Sequence, residues 1–174
     1  MKKGKLRSVR NTRIIVGEGM SEYMFLLRLK SLFYSRGNNY IVTVEQAGGG
    51  DPKSVLRFLE HYQGNFDKKF ILIDSDRPVS VAVIKSAKRL GVQIIQSTPH
   101  CLEGMLLRTL NIKRGIIDTA AAKSFFYPNV CAGEALTDSW CEKNITKEMI
   151  QARLDDPENE YHHFFSQLIE IMTN

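Results

Sequence analysis

Four short runs of β-branched and apolar residues alternate with four segments of helical pattern over the first 110 residues. Parallel strands need long crossover connections, which are usually helices, so this alternation predicts a parallel sheet with helices on both faces. The predicted class is α/β, with a four-stranded sheet. The predicted strands cover residues 13–17, 40–46, 69–73 and 92–96, and the predicted helices cover residues 21–35, 52–62, 79–90 and 101–110.

The alternation stops at about Lys113, beyond which no segment has a convincing strand pattern. We divide the chain into a basic flexible tail (1–12), an α/β core (13–112) and an α-helical extension (113–174). The extension either packs on the core or serves as a partner-binding surface. Its predicted helices cover residues 118–126, 132–142, 147–154 and 157–172.

The net charge of +5 is unevenly distributed, because six of the 24 basic residues and no acidic residue lie in the first 13 positions. A basic tail suits a nucleic-acid backbone, where each neutralised phosphate releases counterions. An equally good interpretation is that these basic residues form a disordered start of the chain that only makes the protein more soluble. The basic residues concerned are Lys2, Lys3, Lys5, Arg7, Arg10 and Arg13.

Several classes of protein are disfavoured by missing motifs. No apolar run has the length of a membrane span, and no apolar stretch follows the basic start as it would in a secretory signal. The three cysteines form no CxxC pair and no zinc-ligand spacing, so we expect reduced thiols in a cytoplasmic protein. Pro52 precedes Lys53 where a P-loop requires glycine, and Glu22 occupies the third glycine position of a dinucleotide fingerprint.

Acidic residues follow two of the predicted strands directly. Glu18 comes just after the first strand, and Asp74 and Asp76 come just after the third. The carboxyl ends of parallel strands meet at one edge of a sheet, so these carboxylates are expected to lie close together. Crowded carboxylates repel one another unless a cation lies among them, and their oxygen atoms favour Mg²⁺ or Mn²⁺. The alternative is that the Asp-x-Asp sequence only forms a turn.

The same residues resemble the motifs of a known family. Residues 14–22 (IIVGEGMSE) resemble the first Toprim motif, an apolar strand followed by Glu-Gly, and residues 71–76 (ILIDSD) resemble the second, an apolar strand followed by Asp-x-Asp. Residues 97–107 (STPHCLEGMLL) are similar to a segment of small RloB-like Toprim proteins. They depart from it at Thr98, where asparagine is expected, and at Leu102, where an aromatic residue is expected. They also depart from it at Gly104 and Met105, where a bulkier or aromatic pair is common.

The resemblance covers about residues 8–110 and implies a Toprim, Rossmann-like core with a Mg²⁺- or Mn²⁺-dependent site. It implies a nuclease, RloB-like or of the OLD type, that hydrolyses phosphodiester bonds in DNA or RNA, tRNA included. It also implies a role in prokaryotic antiviral defence. Glu18 would be a general base or a metal ligand, and Asp74 and Asp76 would be ligands. Glu103 and Glu22 are further candidate ligands, although each could instead be a first-turn acid that favours its helix through the dipole.

Lys53 and Arg77 are candidate phosphate contacts, and each could equally be a solvated charge. Because OLD-type nucleases carry an ATPase and this chain has no ATPase motif, the resemblance also allows a non-catalytic or partner-activated module that binds nucleic acid and docks on an ATPase. A receiver-like phosphoacceptor domain would need an acidic pair after the first strand, where only Glu18 is present. The sequence leaves open whether the chain forms homo-oligomers.

Overall fold

Four parallel strands form a sheet in the computed structural model, which describes residues 11–35 and 39–173. Their order across the sheet places the first and third strands side by side in the centre. The predicted α/β class with a four-stranded parallel sheet is therefore confirmed. The strands are β1 (Asn11–Gly17), β2 (Tyr40–Gln46), β3 (Lys68–Asp74) and β4 (Val92–Ser97), in the order β2-β1-β3-β4.

The helices of the core connect these strands and begin and end at recognisable residues. The side chain of Asp51 accepts a hydrogen bond from Ser54 N at 2.8 Å and so caps its helix, while Pro52 takes the first helical position. Gly91 ends the following helix in the left-handed conformation with φ 66°. The helices are α1 (Met20–Phe33), α2 (Pro52–His61), α3 (Val81–Leu90) and α4 (Leu102–Thr109).

The central strands are buried on both faces, as expected where helices cover both sides of a parallel sheet. Ile15 and Leu72 contribute to the larger apolar cluster, which also contains residues of α1 and of the helical extension. Ile14 and Ile71 point to the opposite face and pack with residues of α2 and α3. The extension therefore shares its apolar core with one face of the sheet.

The helical extension differs in part from its predicted pattern. The predicted helix over 132–142 is wrong, because Ala132 has a positive φ of 53° and ends a π-helical turn, so the next helix begins only after Thr137. Within the described residues, none of the helices has the length and apolar character to cross a membrane. The elements are α5 (Thr119–Phe126), the π-helical turn (Tyr127–Cys131), α6 (Asp138–Asn144), α7 (Lys147–Leu154) and α8 (His162–Thr173).

The prediction that Arg13 contacts nucleic acid is wrong. Its side chain is buried, donates to the carbonyl oxygens of Glu170 at 3.0 Å and Ile171 at 2.9 Å, and lies over the ring of Tyr40. Arg13 therefore anchors the end of α8 to the sheet. Residues 11 and 12, which were assigned to the predicted tail, belong to β1. The other basic residues of the tail, Lys2, Lys3, Lys5, Arg7 and Arg10, lie outside the described residues.

Candidate metal centre

The carboxyl ends of β1 and β3 bring two of the predicted acids together. Gly17 pairs with Leu72 across the two strands, so Glu18 and Asp74 leave the sheet at the same edge. One carboxylate oxygen of Glu18, Oε2, accepts a hydrogen bond from the backbone N–H of Asp74 at 3.1 Å. Burial and the negative charges of Asp74 and Asp76 raise the pKa of the half-buried Glu18.

Asp74 is held in a fixed orientation beneath this edge. Its Oδ1 accepts from Ser97 Oγ at 2.9 Å and from the backbone N–H of Leu102 at 3.0 Å. Its Oδ2 lies 3.6 Å from the ammonium group of Lys123. Burial raises the pKa of Asp74, although Lys123 and Ser97 act in the opposite direction. One oxygen of Asp74 is thus used for positioning, and the other faces a cation.

Glu103 lies in the first turn of α4 and is fully buried. Its Oε1 accepts a hydrogen bond from the hydroxyl of Tyr127. Its Oε2 has no hydrogen-bond donor among the described residues, and it lies 3.8 Å from Lys123 Nζ. A buried carboxylate oxygen without a donor is costly, so this oxygen is the clearest candidate for a cation ligand.

Asp74, Cys101 and Glu103 form a buried group that could hold a metal ion. One potential ligand atom from each of the three residues lies within 4.8 Å of the others. Burial and the charge of Glu103 raise the pKa of Cys101 to about 12, so its sulfur is a protonated thiol in the metal-free protein. Carboxylate oxygens are hard ligands and a cysteine sulfur is a soft one, so Asp74 and Glu103 are the members of the group that suit a hard cation.

The remaining predicted site residues are placed less centrally. Asp76 is exposed, and its Oδ2 accepts from Thr119 Oγ1 at 3.1 Å. Glu22 is buried, and its Oε2 accepts from the backbone N–H of Gly19 at 2.8 Å, which is the capping role of a first-turn acid. Lys53 and Arg77 are exposed and stay predictions as phosphate contacts.

Sequence reasoning missed the contribution of the helical extension. Thr119, Lys123 and Tyr127 follow one another at four-residue spacing and so lie on one stripe of α5 and the π-helical turn. Each of the three contacts an acidic residue of the site. Thr119 contacts Asp76, and Tyr127 contacts Glu103. Lys123 lies near both Asp74 and Glu103. The polar residues at this spacing were a pattern that could have been noticed. The sequence alone does not show that this stripe faces the acidic residues, so the spacing could not be assigned a function.

A departure from the RloB-like segment has a structural reason. Gly104 follows Glu103 in α4, and a Cβ atom at this position would lie 2.5 Å from the carbonyl oxygen of Pro99. A larger side chain therefore cannot fit here without displacing backbone. Glycine at this position lets α4 approach the loop after β4 closely, which brings Glu103 to Asp74.

No protein-family model, curated protein or solved structure matches this chain. The likeness to Toprim domains therefore rests on the motif residues alone and stays a prediction.

Replacing Glu22 with glutamine should stabilise the protein, and more strongly at pH 8 than at pH 5. Burial and the charges of Asp74 and Glu103 raise the pKa of Glu22 from 4.5 to about 8. The folded protein holds this proton more tightly than the unfolded chain. Ionisation of Glu22 therefore reduces stability as the pH rises through this window, by at most about 1.4 kcal/mol per pH unit.

Glutamine cannot ionise, yet its side-chain oxygen can still accept from Gly19, so the cap of α1 is kept. Urea unfolding of the wild type and of Glu22→Gln at the two pH values, in EDTA, measures the effect. Because Asp74 and Glu18 also titrate, the informative quantity is the difference in the free energy of unfolding between the two proteins at each pH. A difference that is the same at both pH values would show that Glu22 is ionised in the folded protein throughout.

Proposed function

We propose that this protein is a metal-dependent nuclease of the Toprim type, which hydrolyses phosphodiester bonds in DNA or RNA. The observation that carries the proposal is the buried Oε2 of Glu103. This oxygen has no hydrogen-bond donor within the described residues, and it faces the same ammonium group as Oδ2 of Asp74. Two buried carboxylate oxygens directed at one point favour a cation there.

The donor set favours Mg²⁺ or Mn²⁺ over softer metals. Asp74 and Glu103 supply carboxylate oxygens, and the half-buried Glu18 lies at the same sheet edge. Hard divalent cations prefer oxygen ligands, and they commonly use one or two carboxylates and complete their coordination with water and phosphate oxygens. The sulfur of Cys101 is a soft ligand atom and therefore a poor ligand for such ions.

A bound Mg²⁺ or Mn²⁺ would polarise the scissile phosphate and lower the pKa of an attacking water molecule. The protein's own residues hold the ligands in position for this. Ser97 and the backbone of Leu102 orient Asp74, and Tyr127 orients Glu103. The raised pKa of Glu18 brings its carboxylate closer to the range in which it can accept a proton from water near neutral pH.

The substrate class in this proposal is nucleic acid, DNA or RNA, with tRNA as one candidate. Exposed Lys53 and Arg77, together with the basic residues before residue 11, would contact its backbone phosphates. An antiviral role in the prokaryotic cytoplasm belongs to the same proposal, because the resemblance to RloB-like and OLD-type proteins implies it. The alternative is a non-catalytic or partner-activated module that binds nucleic acid and docks on a separate ATPase.

The direct test incubates the purified full-length chain with single-stranded DNA, duplex DNA and tRNA, in Mg²⁺, in Mn²⁺ and in EDTA. We expect cleavage that requires the metal and that Glu18→Gln abolishes. Glu60→Gln is the matched control, because Glu60 is an exposed glutamate of α2 that pairs with Arg89. If none of the substrates is cut, the nuclease proposal fails in favour of a binding module. If Glu18→Gln cuts as fast as the wild type, Glu18 takes no part in cleavage and the site proposed here is not where the reaction occurs.

A further inference from the structure

The side chain of Lys123 lies between the two carboxylates of the candidate metal centre. Its Nζ is 3.6 Å from Oδ2 of Asp74 and 3.8 Å from Oε2 of Glu103. Both distances are those of ion pairs rather than of direct hydrogen bonds. These are the same oxygen atoms that the proposed function assigns to the metal, so the ammonium group and a metal ion would compete for one position.

We propose that Lys123 is a built-in counter-ion that occupies the metal position in the metal-free protein and is displaced when a divalent cation binds. This inference rests on the proposed function, because it assumes that the metal binds at Asp74 and Glu103. It adds that the helical extension, through α5, controls access of the metal to the core.

Charge explains why the position needs an occupant. Asp74 and Glu103 are both buried, and two neighbouring carboxylates without a cation repel each other in a medium that screens poorly. One ammonium group balances one of these charges, whereas a divalent ion balances both. Two cations cannot share the same pair of oxygen atoms without strong repulsion, so binding of the metal requires Lys123 to leave.

Burial shows which partner can move. The side chain of Lys123 is 42% exposed, whereas those of Asp74 and Glu103 are 8% and 0% exposed. The long aliphatic stem of lysine lets its ammonium group swing into solvent while α5 stays in place. The carboxylates are held by Ser97, Leu102 and Tyr127 and remain where they are.

The test compares Mn²⁺ binding by the wild type and by Lys123→Met in the full-length chain, by titration calorimetry with MnCl₂. We expect Lys123→Met to bind Mn²⁺ at least about tenfold more tightly, because the competing charge is gone. In EDTA the same variant should unfold at a lower temperature than the wild type, and Mn²⁺ should raise its unfolding temperature by more. The stability measurements do not depend on any catalytic activity.

Three further variants make the result specific. Lys123→Gln, which keeps a polar side chain, should behave like Lys123→Met and replaces it if the methionine variant does not fold. Lys123→Arg keeps the charge and should bind Mn²⁺ within a few-fold of the wild type. Lys143→Met removes an exposed lysine of α6 and should leave Mn²⁺ affinity unchanged.

Two results would overturn the inference, and they differ in what they say about the proposed function. If the wild type binds Mn²⁺ and Lys123→Met and Lys123→Gln bind it equally or more weakly, Lys123 does not compete and only the inference fails. If neither the wild type nor any Lys123 variant binds Mn²⁺, the metal centre itself is absent, and the proposed function fails with it.

Discussion

Replacing Asp74 with asparagine should reduce metal-dependent cleavage about a thousandfold while the protein stays folded. A carboxylate ligand contributes several kcal/mol of transition-state stabilisation through its metal, and ~4 kcal/mol corresponds to about a thousandfold in rate. The amide oxygen of asparagine can still accept from Ser97 and from the backbone of Leu102, so the loop after β4 keeps its anchor. The rate of cleavage and the free energy of unfolding, measured on the same preparation, check both parts.

Asp67→Asn is the matched control for this substitution. Asp67 immediately precedes β3, so it lies at the opposite end of the strand that Asp74 terminates, and its carboxylate accepts from the backbone N–H of Thr12 at 2.7 Å. Its replacement should leave the cleavage rate within a few-fold of the wild type. Equal cleavage rates for Asp74→Asn and Asp67→Asn would show that Asp74 takes no part in cleavage.

Replacing Phe165 with alanine should lower the free energy of unfolding by about 3–5 kcal/mol, the usual cost of removing a large buried aromatic side chain. Phe165 is fully buried in α8, and its ring lies 6.5 Å from that of Phe25 in α1 and 5.4 Å from that of Phe164. Because its contacts join the extension to the core, the loss should destabilise both together. Urea unfolding followed by circular dichroism and by fluorescence of Trp140 measures this.

The control is Ile117→Ala, which removes a side chain that is 80% exposed and should change stability by no more than about 0.5 kcal/mol. Phe165→Ala should keep one unfolding transition by both probes. If instead the extension unfolds in a separate, earlier transition and the core keeps its stability, then residues 113–174 form an independent unit and the shared apolar cluster does not couple them.

Much of the core was predictable because local pattern and tertiary structure agree there. Strands β1 and β3 contain short continuous apolar runs, IIV and FILI, as buried parallel strands do. Asp51 and Gly91 are residues that commonly begin and end helices, and they do so here. The extension was less predictable. Ala132 adopts a positive φ, and alanine does not signal such a turn, so the start of α6 was misplaced.

The site was predictable only as far as topology determines it. Glu18 and Asp74 follow adjacent parallel strands, and their meeting at one edge follows from the strand order. Glu103 came from the resemblance alone. Lys123 was missed because its position depends on the packing of α5 against α4, where Ala122 and Phe126 are fully buried. The charge of a lysine does not indicate which carboxylates it will face.

The most direct test of the metal centre is a crystal grown in EDTA and soaked in MnCl₂, with anomalous diffraction data collected before and after the soak. We predict an anomalous peak within bonding distance of Asp74 Oδ2 and Glu103 Oε2 after the soak, with the side chain of Lys123 withdrawn from between them. Before the soak, Lys123 Nζ should lie between the two oxygens, as it does here at 3.6 Å and 3.8 Å. A soaked crystal with no anomalous peak at these carboxylates would contradict the claim that they bind a metal.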